Sequence, residues 1–254
     1  MTPGDHAELP SAWGAGRGRP RRLPLVGLSL GAAACLVIAV VAGLAAHTDA
    51  TRPPTAAQKV AAAALAEASR WRMIPAGQVF PARLTYSTSL LTTETAERVG
   101  ISPATGCATA LEPGAASKAA ADRCQGGLRA TYLDQLEGVL YTVGVLAFPN
   151  QKLAATFAAS LPAHGARPLP LHALALPGTP SARFTDAARQ AATARQRGPY
   201  VVLTVAGYAD GEPAGAGQES RPSDFAPAAQ LATQLIGPLN RPVTVNCHSP
   251  EWSC

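Results

Sequence analysis

Long apolar runs separated by short polar stretches predict the main elements of this chain. Leu23 to Ala46 holds about 24 residues without a charge. A helix of that length rises roughly 36 Å, enough to cross a bilayer core of about 30 Å. Four arginines lie between Arg17 and Arg22, and few charges follow the run. The positive-inside rule therefore predicts a cytoplasmic tail over 1–22, a transmembrane helix over 23–46 and export of the rest.

Three features of this apolar run leave alternatives open. A cleaved signal peptide shares its basic start and small residues, but the run is longer than the usual apolar core of such a peptide. Cys35 lies inside the run rather than at its end, which favours an unmodified thiol over lipidation. Gly27 and Gly31 have the spacing at which membrane helices approach closely, so we expect at most a weak homodimer there; chance is the alternative in a segment so rich in glycine.

Beyond the apolar run, the pattern predicts a linker and stalk helix over 47–72 and a folded domain over 73–254. Pro53 and Pro54 favour an extended spacer. Ala56 to Arg72 is rich in alanine, with apolar residues at three- and four-residue steps, and this favours a helix.

Two successions of strand, strand and helix are predicted within the domain. Leu128–Leu133 and Val139–Phe148 are apolar runs joined by a hairpin-length polar turn, and 150–161 places apolar residues on one helical face. The second succession has weaker strands or a turn in "ARFTDAA" and "AATARQRG", then a buried strand at Tyr200–Ala206 and a helix over Ser223–Leu239. The order suggests a duplicated half, although no residue-level repeat supports it.

Earlier in the domain, Arg83–Ser89 is predicted as a strand and Thr92–Gly100 as a short helix. In the latter, Thr92 or Thr93 would cap the start and Gly100 would end it. The predicted fold class is therefore α+β, a mainly antiparallel sheet with flanking helices, preceded by one transmembrane helix.

Four cysteines lie on the exported side of this topology, and an even number in an oxidising compartment indicates disulfides. Of three connectivities, proximity favours Cys107 with Cys124 and Cys247 with Cys254. A zinc site of Cys247, His248 and Cys254 is the alternative, but it offers only three ligands at unusual spacings.

The sequence shows no motif for catalysis, for a cofactor or for a metal. Two acidic pairs, Glu94 with Glu97 and Asp210 with Glu212, could act as acid and base. The preferred explanation is structural: the first pair would lie at the start of a helix and the second in a solvated loop. The formal net charge is +5. It is spread over tail and domain rather than clustered, which argues against nucleic-acid binding.

An arginine-rich tail, an alanine-rich apolar run and the stretches "CQGGLRATYLD", "GVLYTVGVLAFP" and "GPYVVLTVAGYADGEP" resemble uncharacterised single-pass membrane proteins of actinobacteria. The resemblance implies an extracytoplasmic domain of unassigned function and transfers no site residue.

From these features we expect a plasma-membrane protein whose exported domain binds a cell-envelope partner or ligand without catalysis. An envelope hydrolase would instead require a deep pocket in which Ser, His and acidic side chains converge. A structural component of a membrane complex would show a large exposed apolar patch.

Overall fold

The computed structural model describes two compact units, Met1–Pro53 and Pro54–Cys254. Described residues are 23–88, 90–162, 167–215, 222–247, 249 and 252, with the backbone alone described at 23–31, 49–51 and 222. The predicted tail, 1–22, lies outside them.

The first unit contains one helix, α1 (Leu23–Thr51), among its described residues. This helix covers the whole of the predicted span 23–46, and its described side chains are exposed. Within the described residues, no helix is long and apolar enough to cross a membrane. The side chains of 23–31, which include Gly27 and Gly31, are outside the described set, so the homodimer stays a prediction.

The second unit is built from a six-stranded antiparallel sheet and short helices. Its strands are β1 (Arg83–Ser87), β2 (Thr93–Ile101), β3 (Gly126–Leu133), β4 (Val139–Ala147), β5 (Ala191–Arg197) and β6 (Tyr200–Tyr208). Its helices are α2 (Ala56–Met73), α3 (Ala76–Val79), α4 (Cys107–Ala110), α5 (Pro113–Ala121), α6 (Gln151–Ala159) and α7 (Pro227–Leu239). The α+β class with a mainly antiparallel sheet and flanking helices is thus confirmed.

The strands lie in the order β1-β2-β3-β4-β6-β5, and every neighbouring pair is antiparallel. This order places the β1–β2 and β3–β4 turns and the end of β6 at one end of the sheet, which we call the hairpin end. The start of β3, the end of β4 and the β5–β6 turn lie at the opposite end.

One face of the sheet, the α7 face, is covered mainly by α7. A helix fits there because its apolar residues recur at three- and four-residue steps and turn one side towards the strands. Leu231 and Leu235 on this side are almost fully buried. They pack with alternate strand residues such as Tyr132, Tyr141 and Val202. α7 also closes the exposed edge of β1, because Gln230 bonds to both main-chain groups of Ser87.

The other face, the α6 face, is covered by α6, by α4 and α5, and by an irregular segment, residues 167–190, which we call the strap. Asn150 caps α6 by accepting the Leu153 N–H, and Phe157, on the predicted apolar face, is buried. Leu171 of the strap packs so closely over Gly144 that a Cβ there would lie 2.5 Å from its side chain. A larger residue at 144 would therefore require the Leu171 side chain to move.

The predicted stalk helix forms α2, which belongs to the second unit and packs against α7 and the sheet. Thr55 and Gln58 form a capping box at its start. Ala62 and Ala68 are buried, and Arg70 donates to the main-chain oxygens of Leu239 and Arg241 at the end of α7.

The prediction of a helix at Thr92–Gly100 was wrong, because Thr93–Ile101 forms β2. Its Glu, Ala and Arg residues favour a helix locally, and Ala96 alone in β2 is fully buried, so the chain shows little alternation. The strand is fixed instead by pairing with β1 on one side and β3 on the other. Tertiary contacts therefore override local propensity.

The two predicted successions of strand, strand and helix are present, but they are not symmetric copies. In the first, α6 follows β3 and β4, and in the second α7 follows β5 and β6. The helices lie on opposite faces of the sheet. A two-fold axis that relates β3 and β4 to β5 and β6 must be perpendicular to the sheet, because β3 and β5 run in opposite directions. Such an axis would place both helices on one face, so the similar order does not indicate a symmetric repeat. "ARFTDAA" forms short 3-10 turns, and "AATARQRG" forms β5.

Candidate functional site

Of the predicted disulfides, Cys107–Cys124 is confirmed and ties α4 to the start of β3, with Cα atoms 6.4 Å apart. Cys247 is itself disulfide-bonded, but Cys254 and His248 lie outside the described residues. Pairing of Cys247 with Cys254 therefore stays a prediction. Cys35 is a free, exposed thiol.

The acidic pair Glu94 and Glu97 does not form a dyad. Both belong to β2, where an odd separation of three places their side chains on opposite faces. Glu94 accepts a hydrogen bond from the Tyr86 hydroxyl at 2.8 Å, and Glu97 forms an exposed ion pair with Arg83.

A cluster of charged side chains that the sequence did not predict lies where the strap crosses the α6 face. His172 Nδ1 lies 2.7 Å from an Asp186 oxygen and 3.5 Å from Glu112 Oε1. Arg189 contacts both carboxylates. We call these four residues the clasp.

Arg189 is the centre of the clasp, with 7% of its side chain exposed. Besides the two carboxylates, its guanidinium donates to the carbonyl oxygens of Leu169, Leu171 and Asp186. Asp186 also accepts the Ala173 N–H at 2.8 Å. These bonds fold the strap back on itself and join it to Glu112 at the start of α5.

Strand side chains hold the strap against the sheet below the clasp. Thr131 Oγ1 donates to the Leu174 carbonyl, and Leu174 N donates to Thr142 Oγ1, both at 2.9 Å. Arg129 donates to the His172 carbonyl at 3.2 Å. Burial lowers the pKa of Arg129, and the Asp186 carboxylate opposes that change. The polar groups of this face are thus used to hold an irregular segment.

Glu112, His172 and Asp186 could each offer one atom to a metal ion, and these atoms lie within 4.8 Å of one another. His, Glu and Asp are ligands that Zn²⁺ accepts. Arg189 already neutralises the carboxylates, however, and a cation between them would be repelled by the guanidinium. We therefore interpret the clasp as structural.

His172 and Asp186 also have the geometry of a base and its orienting carboxylate. Within the described residues, no Ser, Thr or Cys side chain is hydrogen-bonded to His172. The described residues therefore supply His172 and Asp186 with no nucleophile in hydrogen-bonding contact.

A second unpredicted feature is the set of exposed leucines at the hairpin end. In the described part of Pro54–Cys254, six large apolar side chains are exposed; three lie on or beside α2, and three lie at the hairpin end. Leu90 and Leu91 in the β1–β2 turn are 83% and 91% exposed, and Leu136 in the β3–β4 turn is 76% exposed. Both turns are otherwise polar.

Backbone conformation makes Leu91 more unusual. Its φ is +62°, a left-handed conformation that favours glycine or asparagine. Glu137 in the β3–β4 turn also has a positive φ, +56°. Leu91 is therefore both exposed and in a conformation that costs free energy for a residue with a side chain.

The hairpin end is also acidic. A cleft of about 290 Å³ between β2 and the β3–β4 turn is lined by Arg83, Glu97, Asp134 and Glu137 among others. Outside the clasp, the described acidic residues at this end are Glu94, Glu97, Asp134, Glu137, Asp210, Glu212 and Asp224, against the arginines Arg83 and Arg183. This end is therefore strongly negative although the chain is basic.

This negative charge raises the pKa values of nearby tyrosine side chains. Burial raises the pKa of Tyr141 well above its ordinary value, and the charges of Asp134, Glu94 and Asp224 raise it further. Burial, the bond to Glu94 and the charge of Asp134 raise the pKa of Tyr86 in the same way.

The hairpin-end leucines carried a local signal in the sequence, since Leu90 and Leu91 interrupt a run of Ser and Thr. The clasp carried none, because Arg189 and Glu112 are 77 residues apart.

Comparison with family models, with curated proteins and with solved structures gave no match to this chain.

Proposed function

We propose that the second unit is a non-enzymatic binding domain that docks a cell-envelope protein through its hairpin end. The observation that carries the proposal is the coincidence of Leu90, Leu91 and Leu136 with an excess of acidic side chains. Exposed apolar side chains beside uncompensated charge are typical of recognition surfaces.

The charge also specifies the partner. Glu137 is exposed next to Leu136, and Glu97 lines the adjoining cleft, so the complementary surface is a protein segment that combines apolar residues with Lys or Arg. An anionic membrane would be repelled by the same carboxylates.

We also propose that 23–46 anchors the chain in the plasma membrane, with the tail cytoplasmic and the second unit outside. Support comes from the uncharged run, from the arginines before it and from the helical backbone of α1. Alkaline carbonate extraction of membranes tests it: the full chain should stay in the pellet, and recovery in the supernatant would contradict an integral anchor.

Photo-crosslinking in intact cells tests the docking surface. A photoreactive amino acid replaces Leu91 or Leu136, and Val60 on α2, which is 69% exposed, is the control position. We expect one discrete adduct from both hairpin-end positions and none from position 60. Equal adducts at all three positions, or none at the hairpin end, would rule out this surface.

A further inference from the structure

The end of the sheet opposite the hairpin end carries an excess of basic side chains. Exposed members come from separate elements: α2, the turn before β3, the first turn of α6, the end of β5 and the segment after α7. They are Arg72, Arg123, Lys152, Arg195, Arg197 and Arg241.

These basic groups are free to meet a ligand. Within the described residues, the side chains of Lys152 and Arg197 form no hydrogen bond or ion pair. Arg72 lies over the Trp71 ring, 4.8 Å from its centre, which leaves its charge uncompensated. The acidic residues nearby, Glu67 and Asp122, are fewer.

The pKa of Tyr200 is affected by arginine charges, unlike the pKa values of Tyr86 and Tyr141 at the hairpin end. Burial raises the pKa of Tyr200 to about 12. The hydrogen bond from the Trp71 N–H and the charges of Arg70 and Arg72 oppose that rise, and the charge of Glu67 adds to it. The second unit is therefore polarised, negative at the hairpin end and positive at the other.

The arrangement of the charges favours one class of anionic partner. No helix or groove among the described residues aligns them, so they do not follow the regular phosphates of a nucleic-acid backbone. They are instead distributed over one end of the domain. A fluid bilayer can gather anionic headgroups beneath scattered charges, and each Lys or Arg near such a surface contributes to binding.

We propose that this basic end lies on an anionic lipid surface. The hairpin end lies at the opposite end of the strands, so it then faces away from the lipid and is accessible to a protein partner. This inference does not depend on the docking surface, because the two ends share no residue.

Vesicle sedimentation of residues 54–254 tests the proposal without the apolar run. Both hydrophobic cores and the Cys107–Cys124 bond lie within this unit. We expect binding to vesicles of phosphatidylcholine with phosphatidylglycerol, and at least about tenfold weaker binding to phosphatidylcholine alone. Binding should be lost near 1 M salt, where the Debye length is about 3 Å.

Two double variants of equal charge change locate the surface. Lys152→Ser with Arg197→Ser should weaken vesicle binding by about tenfold to thirtyfold, as expected for two charges at the surface. Arg83→Ser with Arg183→Ser, at the hairpin end, should change it by less than about twofold. Equal losses in both, no preference for anionic lipid, or equally tight binding of duplex DNA would overturn the proposal.

Discussion

The clasp and the hairpin end are both rich in acidic side chains, but they use them differently. At the clasp, Glu112 and Asp186 are bonded to Arg189, and the remaining donors of Arg189 are used by strap carbonyls. At the hairpin end, Glu97 forms an exposed ion pair with Arg83, whereas Glu137 has no cation paired with it among the described residues and follows the exposed Leu136. Charge compensated within the fold stabilises it, whereas uncompensated charge is available to a partner.

The largest effect should follow Arg189→Met. The substitution leaves two carboxylates without their cation and three strap carbonyls without this donor. We therefore expect the free energy of unfolding to fall by about 3 kcal/mol. Urea denaturation measures it. Arg183→Met, at an exposed arginine, is the matched control and should stay within about 0.5 kcal/mol of the parent; a similar loss in both would contradict a structural clasp.

Alkaline pH should destabilise the fold because Tyr86 and Tyr141 retain their protons. Their pKa values are raised in the fold, whereas in the unfolded chain tyrosines ionise near pH 10. Their contribution is therefore complete below pH 10. Above it, the free energy of unfolding should fall by about 1.4 kcal/mol per pH unit for each tyrosine still protonated in the fold.

Urea midpoints measured below and above pH 10 test this expectation. Tyr141→Phe removes one titrating group and should give a shallower decline. A decline of the same slope in the variant would show that Tyr141 is not one of the groups responsible.

A smaller loss of stability should distinguish Asp134 from Glu137, the two acidic residues of the β3–β4 turn. Asp134 Oδ1 accepts the N–H groups of Gly138 and Val139 at 2.7 and 2.8 Å. Asp134→Ala should therefore cost about 1 to 2 kcal/mol of unfolding free energy. Glu137→Ala should cost less than about 0.5 kcal/mol. The reverse order in thermal or urea unfolding would mean that the turn is held in another way.

The smallest expected effect is the change in Tm when zinc is added to the protein. Because Arg189 occupies the position of a cation, added Zn²⁺ should leave the Tm unchanged within about 1 °C, whereas a specific site at a hundredfold excess over its Kd would add about 2.7 kcal/mol. A rise that Glu112→Gln abolishes would establish a metal site there.

Local pattern was sufficient for those elements whose burial is continuous or strictly periodic. β3, β4, β6 and α6 are of this kind, and each lies close to its predicted position. α2 also lies where it is predicted, but Val60 and Leu65 on its apolar stripe are exposed. β2 was not predictable in this way, because only pairing with two other strands fixes it. α7 shows an intermediate case: of the helix predicted over Ser223–Leu239, the first residues form a 3-10 turn, and α7 itself begins at Pro227.

The functional features show the same distinction between what a local pattern predicts and what tertiary contacts decide. Cys107 and Cys124 are close in the sequence, and their pairing was predicted. The clasp depends on the path of the strap, which brings together residues that have no common motif. The leucine turns could be seen locally, but their shared position depends on the strand order.

The most direct test of the proposed function is the charge dependence of the crosslink from position 91. Its yield should fall at least about tenfold in Glu97→Lys with Glu137→Lys, since like charges then face the partner. It should be unchanged in Lys152→Glu with Arg197→Glu, which reverses charge at the other end. Equal yields in the two double variants would contradict the assignment of the acidic hairpin end as the docking surface.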